Sequence, residues 1–303
     1  MATISRPYAS SNYMLNLAGV SAGFLKSVEG GGVTAEVISE SAGPSYFTKK
    51  HLGPIKYEEF TVRIGPSMNI AIYDWIAASW QMNYSRKSGS IVSADYKLEA
   101  QSERQFSNAL ITETTIPAMD GSAKEPVYLT IKFQPEVVQY KKAAGKVSGE
   151  IGKSEQKLWL PSNFRLDIAG LDCTKVTKID SFTVKQTLAN DNVGHARDVQ
   201  SKPGRLDFPN LKISLSEASA QTWVDWHDDF VIKGNNGESS EKNGSLTFLS
   251  PNRTTELGRI NFFNLGIFKL AFDESDAAPD AIKRVTAELY CEHMDFQYTP
   301  VKA

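Results

Sequence analysis

Nine residues near the start of the chain, SNYMLNLAG at 11–19, return 151 positions later as SNFRLDIAG at 162–170. Both segments alternate apolar and polar residues, Tyr13, Leu15 and Leu17 against Phe164, Leu166 and Ile168, and both end in Ala-Gly. That is the pattern of a half-buried strand running into a turn. At the same offset KYEEFTVRIG (56–65) lies over DFPNLKISLS (207–216), and Tyr73-Asp74-Trp75 over Val224-Asp225-Trp226. The offset grows to 156 where Phe106, Asn108 and Ile111 meet Phe262, Asn264 and Ile267. It reaches 158 where VYLTIKFQPEVVQY (127–140) meets VTAELYCEHMDFQY (285–298), both closing on Gln-Tyr. Matches in one order along the whole length predict a single unit duplicated end to end, with short loop insertions in the second copy.

The repeat divides the chain into a first domain at 1–140, a linker at 141–160 and a second domain at 161–303. Residues 141–157, KKAAGKVSGEIGKSEQK, carry five lysines, three glycines and almost no large apolar group, a linker composition. Such a segment leaves the placement of the second domain open. Strand patterns are predicted over 12–18, 33–39, 56–64, 89–98, 104–111 and 126–133 in the first copy. In the second they fall at 244–250, 257–271 and 284–296. Each copy has one helical stretch, near 67–80 and 216–230; Ser216 with Ser219 is placed to cap the second. Its apolar face is Ala220, Trp223, Trp226 and Phe230. The expected fold is mainly β: two tandem barrel or sandwich domains, each with one flanking α-helix.

Composition excludes more than it identifies. With 33 Lys and Arg against 35 Asp and Glu the net charge is −2, which argues against a protein held on nucleic acid by a dominant basic surface. Specific nucleic-acid recognition is therefore not expected. No apolar run is long enough for a membrane-spanning helix, and Arg6, Asn12 and Asn16 interrupt the start where a signal peptide needs continuity. Cys173 and Cys291 are too few to staple the fold, so it must rest on buried apolar surface.

The motifs that resemble chemistry read better as structure. Gly19-Val20-Ser21-Ala22-Gly23 fits GxSxG, but a nucleophile elbow needs a helix directly after it, and Phe24 to Gly32 opens one poorly. A serine hydrolase using Ser21, with His195 or His227 as base, is the competing enzyme reading. Gly30-Gly31-Gly32 lacks the Gly-Lys-Ser/Thr of a phosphate cradle and reads as a flexible turn. Cys291, His293 and Asp295 would share one strand face, but Phe133, Pro135 and Val137 stand there in the first copy, so no metal site is expected. His227-Asp228-Asp229 reads as helix-end charge. Trp75, Trp80, Trp159, Trp223 and Trp226 read as core rather than a sugar-stacking platform. The sequons at Asn83, Asn243 and Asn252 mean nothing without a secretory signal. No catalytic, cofactor-binding or metal-binding residue is assigned, and no cofactor is expected.

Each half resembles the tail-tube protein family of contractile phages and related injection systems. In the second half the resemblance is carried by SNFRLDIAG, by Lys202-Pro203-Gly204-Arg205 running into a strand, and by Trp223 and Trp226 on a helix. Asn243 to Ser245 opening a strand and the final VTAELYCEHMDF complete it. The first half carries KKHLGPIKYEEFTVRIG, YDWIAASW, RKSGSIVSADY and NALITETTIPAMDGSAKEPVYLTIKFQPE. It departs at Pro54, where the family often has Arg. The resemblance implies barrels side by side in a six-fold ring, stacked around an open lumen. It implies a structural, non-enzymatic role: a ring or tube subunit, or alternatively a hub or tube-end adaptor. The implied partners are further copies of the chain and sheath, baseplate or cap proteins. The implied location is the bacterial cytoplasm during assembly, and then a phage tail or similar particle.

Overall fold

The computed structural model describes residues 12–41, 43, 47–65, 68–147, 159–191, 198–273 and 282–299. In the first half β1 (Asn12–Leu17), β2 (Val20–Leu25), β3 (Ser27–Gly30), β4 (Val33–Glu40), β5 (Lys49–Tyr57) and β6 (Phe60–Ile64) precede helix α1 (Ile70–Trp80). β7 (Lys87–Ala94), β8 (Ala100–Ile116), β9 (Met119–Asp120), β10 (Leu129–Gln134) and β11 (Val137–Lys142) follow it. The second half runs β12 (Phe164–Ile168), β13 (Val176–Ile179), β14 (Phe182–Asp191), β15 (Gln200–Asp207) and β16 (Leu211–Ser216). A short 3-10 turn then leads into α2 (Gln221–His227), which continues as a π turn over Asp228–Ile232. β17 (Lys242–Leu249), β18 (Glu256–Phe272) and β19 (Arg284–Tyr298) end the chain's order.

The two halves repeat one strand order. In the first it is β2-β1-β7-β8-β10-β6-β3, and in the second β12-β17-β18-β19-β16-β13, with every pairing antiparallel. β2 and β3 stand at opposite ends of the first order yet are separated in the chain by Lys26 alone. The Lys26 N–H donates to Arg63 O at 2.9 Å. A sheet whose two ends are one bent strand must close, so the first half is a barrel. In the second half a longer connection, 169–175, replaces β2 and leaves the outer edge of β12 unpaired among the described residues.

Period-two alternation fills both interiors. Phe60, Val62 and Ile64 on β6 and Leu129, Ile131 and Phe133 on β10 are buried, as are Leu211, Ile213 and Leu215 on β16. Irregular features recur at matched positions too. Asn108 and Asn264 both hold left-handed backbone, φ 54° and 55°, at a bulge in the long strand. Each is fastened by a side chain one strand away: the Asn108 N–H donates to Ser88 Oγ and the Asn264 N–H to Asn243 Oδ1, both at 3.1 Å.

Four expectations need correcting. Ser216 and Ser219 do not cap α2; Ala220 precedes it without a side-chain bond, whereas Asn69 caps α1 through the Ala71 N–H at 3.0 Å. Strands β2, β3 and β5 occupy segments read as turn or left unassigned: β2 and β3 are short runs with Gly and Ser, and β5 is mostly exposed and interrupted by Gly53 and Pro54, so none carries a clear hydrophobic period. Gly30 and Gly31 are not a flexible turn. Both have positive φ, and a Cβ on Gly30 would lie 1.8 Å from Glu59 O and one on Gly31 2.2 Å from the Phe60 ring. Finally, the linker composition hides anchored ends: β11 runs to Lys142, Lys146 bridges to Glu99, and Trp159 is buried, its carbonyl accepting the Val127 N–H at 2.9 Å.

Candidate assembly interface

The two halves join by exchanging strands. The end of β8 pairs with the start of β14, setting Ile116 opposite Phe182, Thr115 opposite Thr183, Thr114 opposite Val184 and Glu113 opposite Lys185. In return β9 pairs with β13, Met119 opposite Ile179 and Asp120 opposite Lys178. Each sheet thus continues into its neighbour, which satisfies backbone groups that an isolated edge leaves open. Side chains fasten the exchange. The Thr115 and Thr183 hydroxyls lie 2.9 Å apart, and Glu113 reaches Lys132 at 2.7 Å and Lys185 at 4.0 Å. The bond to Glu113 pushes the Lys132 ammonium above the usual lysine range.

Helix α1 supplies the second part of this seam by lying on β19 of the other half. Tyr73 stacks on Tyr298 with ring centres 3.8 Å apart, and Trp80 meets Phe296 edge-on at 5.7 Å. Gln81 Nε2 donates to Asp295 Oδ1 at 2.9 Å, and Ser79 Oγ to Gln186 Oε1 at 3.3 Å. Burial and the neighbouring Tyr298 push the Tyr73 phenol well above its ordinary pKa. The helix can serve two surfaces because its sequence, IAIYDWIAASW, is apolar on more than one face. Trp75 turns to its own barrel, 5.6 Å from Phe133, and its indole N–H donates to Ser85 O.

A third contact comes from the β14–β15 hairpin, which crosses the seam onto the first half. Arg86 Nη2 donates to Ser201 O at 2.6 Å, Glu136 Oε1 accepts the Ser201 N–H at 2.9 Å, and Tyr57 OH donates to Asp198 Oδ1 at 3.0 Å. The matching hairpin of the first half, β4–β5, forms a separate two-stranded sheet among the described residues.

The residues singled out for chemistry sit elsewhere and apart. Ser21 is not at a nucleophile elbow: it lies within β2, which leads into β3 and no helix, and its hydroxyl donates to Met14 Sδ at 2.9 Å. His227 ends α2 in the other half, and His195 lies outside the described residues. Cys291 is buried and donates to backbone carbonyls, while His293 packs against the rings of Phe208 and Phe263 and Asp295 takes the bond from Gln81. No group of metal-ligating side chains occurs among the described residues. Asp228 pairs with Lys233 at 2.7 Å, a helix-end charge pair. All five tryptophans are buried, with no ring face free for a sugar. Gln81 was not singled out from the sequence, and Tyr73, Trp80 and Tyr298 were noted as repeat or core positions and not as a seam. Their signals were the apolar breadth of α1 and the repeated Gln-Tyr ending.

No helix among the described residues is long and apolar enough to cross a membrane. No curated protein sequence matches the chain. Similar solved structures cover about half of it. A chain of the sheath-tube complex of the PVC extracellular contractile injection system has 21% identity and a TM-score of 0.40, over 46% of this chain and 95% of that one. A chain of the anti-feeding prophage tube-terminating cap has 18% and 0.37, over 45% and 89%. Hcp1 from Flavobacterium johnsoniae has 15% and 0.27, over 46% and 98%. The family model of the T4-like virus tail tube protein gp19 matches residues 10–139. Over those residues, somewhat under half of its length, the chain is similar to the T4-like tail tube protein family.

Proposed function

We propose that this chain is a structural subunit of a phage tail or contractile injection particle, built as two tandem tube-type domains at 1–140 and 161–303. The observation that carries this reading is the tail tube family match over residues 10–139. The shared strand order of the two halves and their matched bulges support extending it to the second half. The chain self-assembles into rings that line a lumen, and sheath, baseplate or cap components are its further partners. In the six-fold ring implied by the family resemblance, three chains supply the six barrels. Catalysis has no part in this role, and the particle is assembled in the bacterial cytoplasm. Electron microscopy of the concentrated protein tests the reading. Rings or stacked rings are expected, and monomers alone at every concentration would overturn it.

A further inference from the structure

The seam has two unlike sides. The first half contributes α1 and the end of β8; the second contributes β19 and the start of β14. Because the halves repeat one plan, each also carries the side that it does not use inside the chain. The second half has its own helix and long strand, and the first half its own β11 and β4. We propose that these unused sides join two copies of the chain head to tail, α2 and the β18 edge of one copy taking β11 and β4 of the next. This deepens the ring-subunit reading and rests on it for the role of the assembly.

Register identifies the contacts. Trp80 and Gln81 on α1 correspond to Val231 and Ile232, which are 41% and 69% exposed. Tyr298, whose ring is stacked in the seam, corresponds to Tyr140, which is 71% exposed. Glu113 to Ile116 correspond to Lys269 to Phe272, where β18 pairs with β19 on one side and with no described strand on the other. Phe272 and Val33, the counterparts of Ile116 and Val184, are both exposed. Apolar surface at these matched places is what a missing neighbour would leave.

The polar groups have changed in step. Inside the chain Gln81 bonds Asp295; at the unused sides the same places hold Ile232 and Val137, an apolar pair. Inside, Arg86 holds the Ser201 carbonyl; at the unused sides Glu241 stands for Arg86 and the exposed Lys50 for Ser201. Glu241 accepts from Tyr290 OH through Oε1, but its buried Oε2 has no partner among the described residues. A buried carboxylate oxygen left open is costly, and a lysine from the next copy closes it. Unlike sides that repeat from copy to copy give closed rings or open filaments.

Two single variants test this in the full chain by analytical ultracentrifugation. Ile232→Glu disables the helix side and Tyr140→Glu the strand side, so each alone is expected to sediment as monomer. Mixed one to one, they retain one intact pair of sides and are expected to form dimers and nothing larger. A charge pair checks that fold loss is not the cause. Lys50→Glu and Glu241→Lys each weaken association roughly tenfold, and the double variant restores it. Variants that assemble like the wild type, or a mixture that stays monomeric with intact circular dichroism, overturn the head-to-tail seam while leaving ring assembly standing. A wild type that never assembles overturns the ring-subunit reading itself.

Discussion

Single residues decide where the barrels bend and where they meet. Gly89 lies where a Cβ would sit 2.2 Å from Asn16 O, and its counterpart Gly244 would meet Asp167 O at 2.7 Å. Gly89→Ala is expected to cost about 2 kcal/mol, read as a lower urea midpoint with an unchanged slope. The Tyr73–Tyr298 stack is worth about 1 kcal/mol beyond its buried area, measurable as the coupling in a Tyr73→Ala, Tyr298→Ala double-mutant cycle. Both phenols titrate above their ordinary value through burial, Tyr73 also through the neighbouring Tyr298. The folded state therefore keeps its protons longer than the unfolded chain. Their contribution is complete below about pH 10 and is lost as pH rises through the folded-state values. Alkaline unfolding curves should show that fall, and Tyr73→Phe should flatten it. Burial pushes both cysteine thiols up to about 11, so native protein at pH 8 should react slowly with Ellman's reagent and fast once unfolded.

At the scale of elements, the exchange between β8 and β14 carries the join. Residues 182 to 184 of β14 pair with β8 and not with β15. Thr183→Pro removes a backbone donor there and is expected to split a single unfolding transition into two in calorimetry. Sequence periodicity located β6, β10, β12, β16 and β19 well, since each alternates cleanly and one face is buried. It missed β2, β3 and β5, whose small and polar residues are ordered by what lies across from them. It placed α1 and the region of α2, but the cap of α2 depended on a 3-10 turn that no local pattern announces. For the interface, the Gln-Tyr endings of the two copies were visible. That one tyrosine would be stacked and the other exposed was not.

For the whole molecule, the buried apolar side chains of both halves form one contiguous cluster, and strands cross between the sheets. Polypeptides 1–150 and 151–303 are accordingly expected to co-purify when expressed together. The repeated segments, the mainly β class and the two helical stretches were legible in the sequence alone. They depend on periodicity and spacing, which are local. The packing of α1 on β19 and the pairing of β8 with β14 were decided by tertiary structure alone. The linker composition left the second half's placement open, and it was set by which strand edges and apolar faces found partners across the chain. The two halves share a strand order and differ in such long-range pairing: one Tyr of a repeated pair, Tyr298, is stacked, and the other, Tyr140, is exposed.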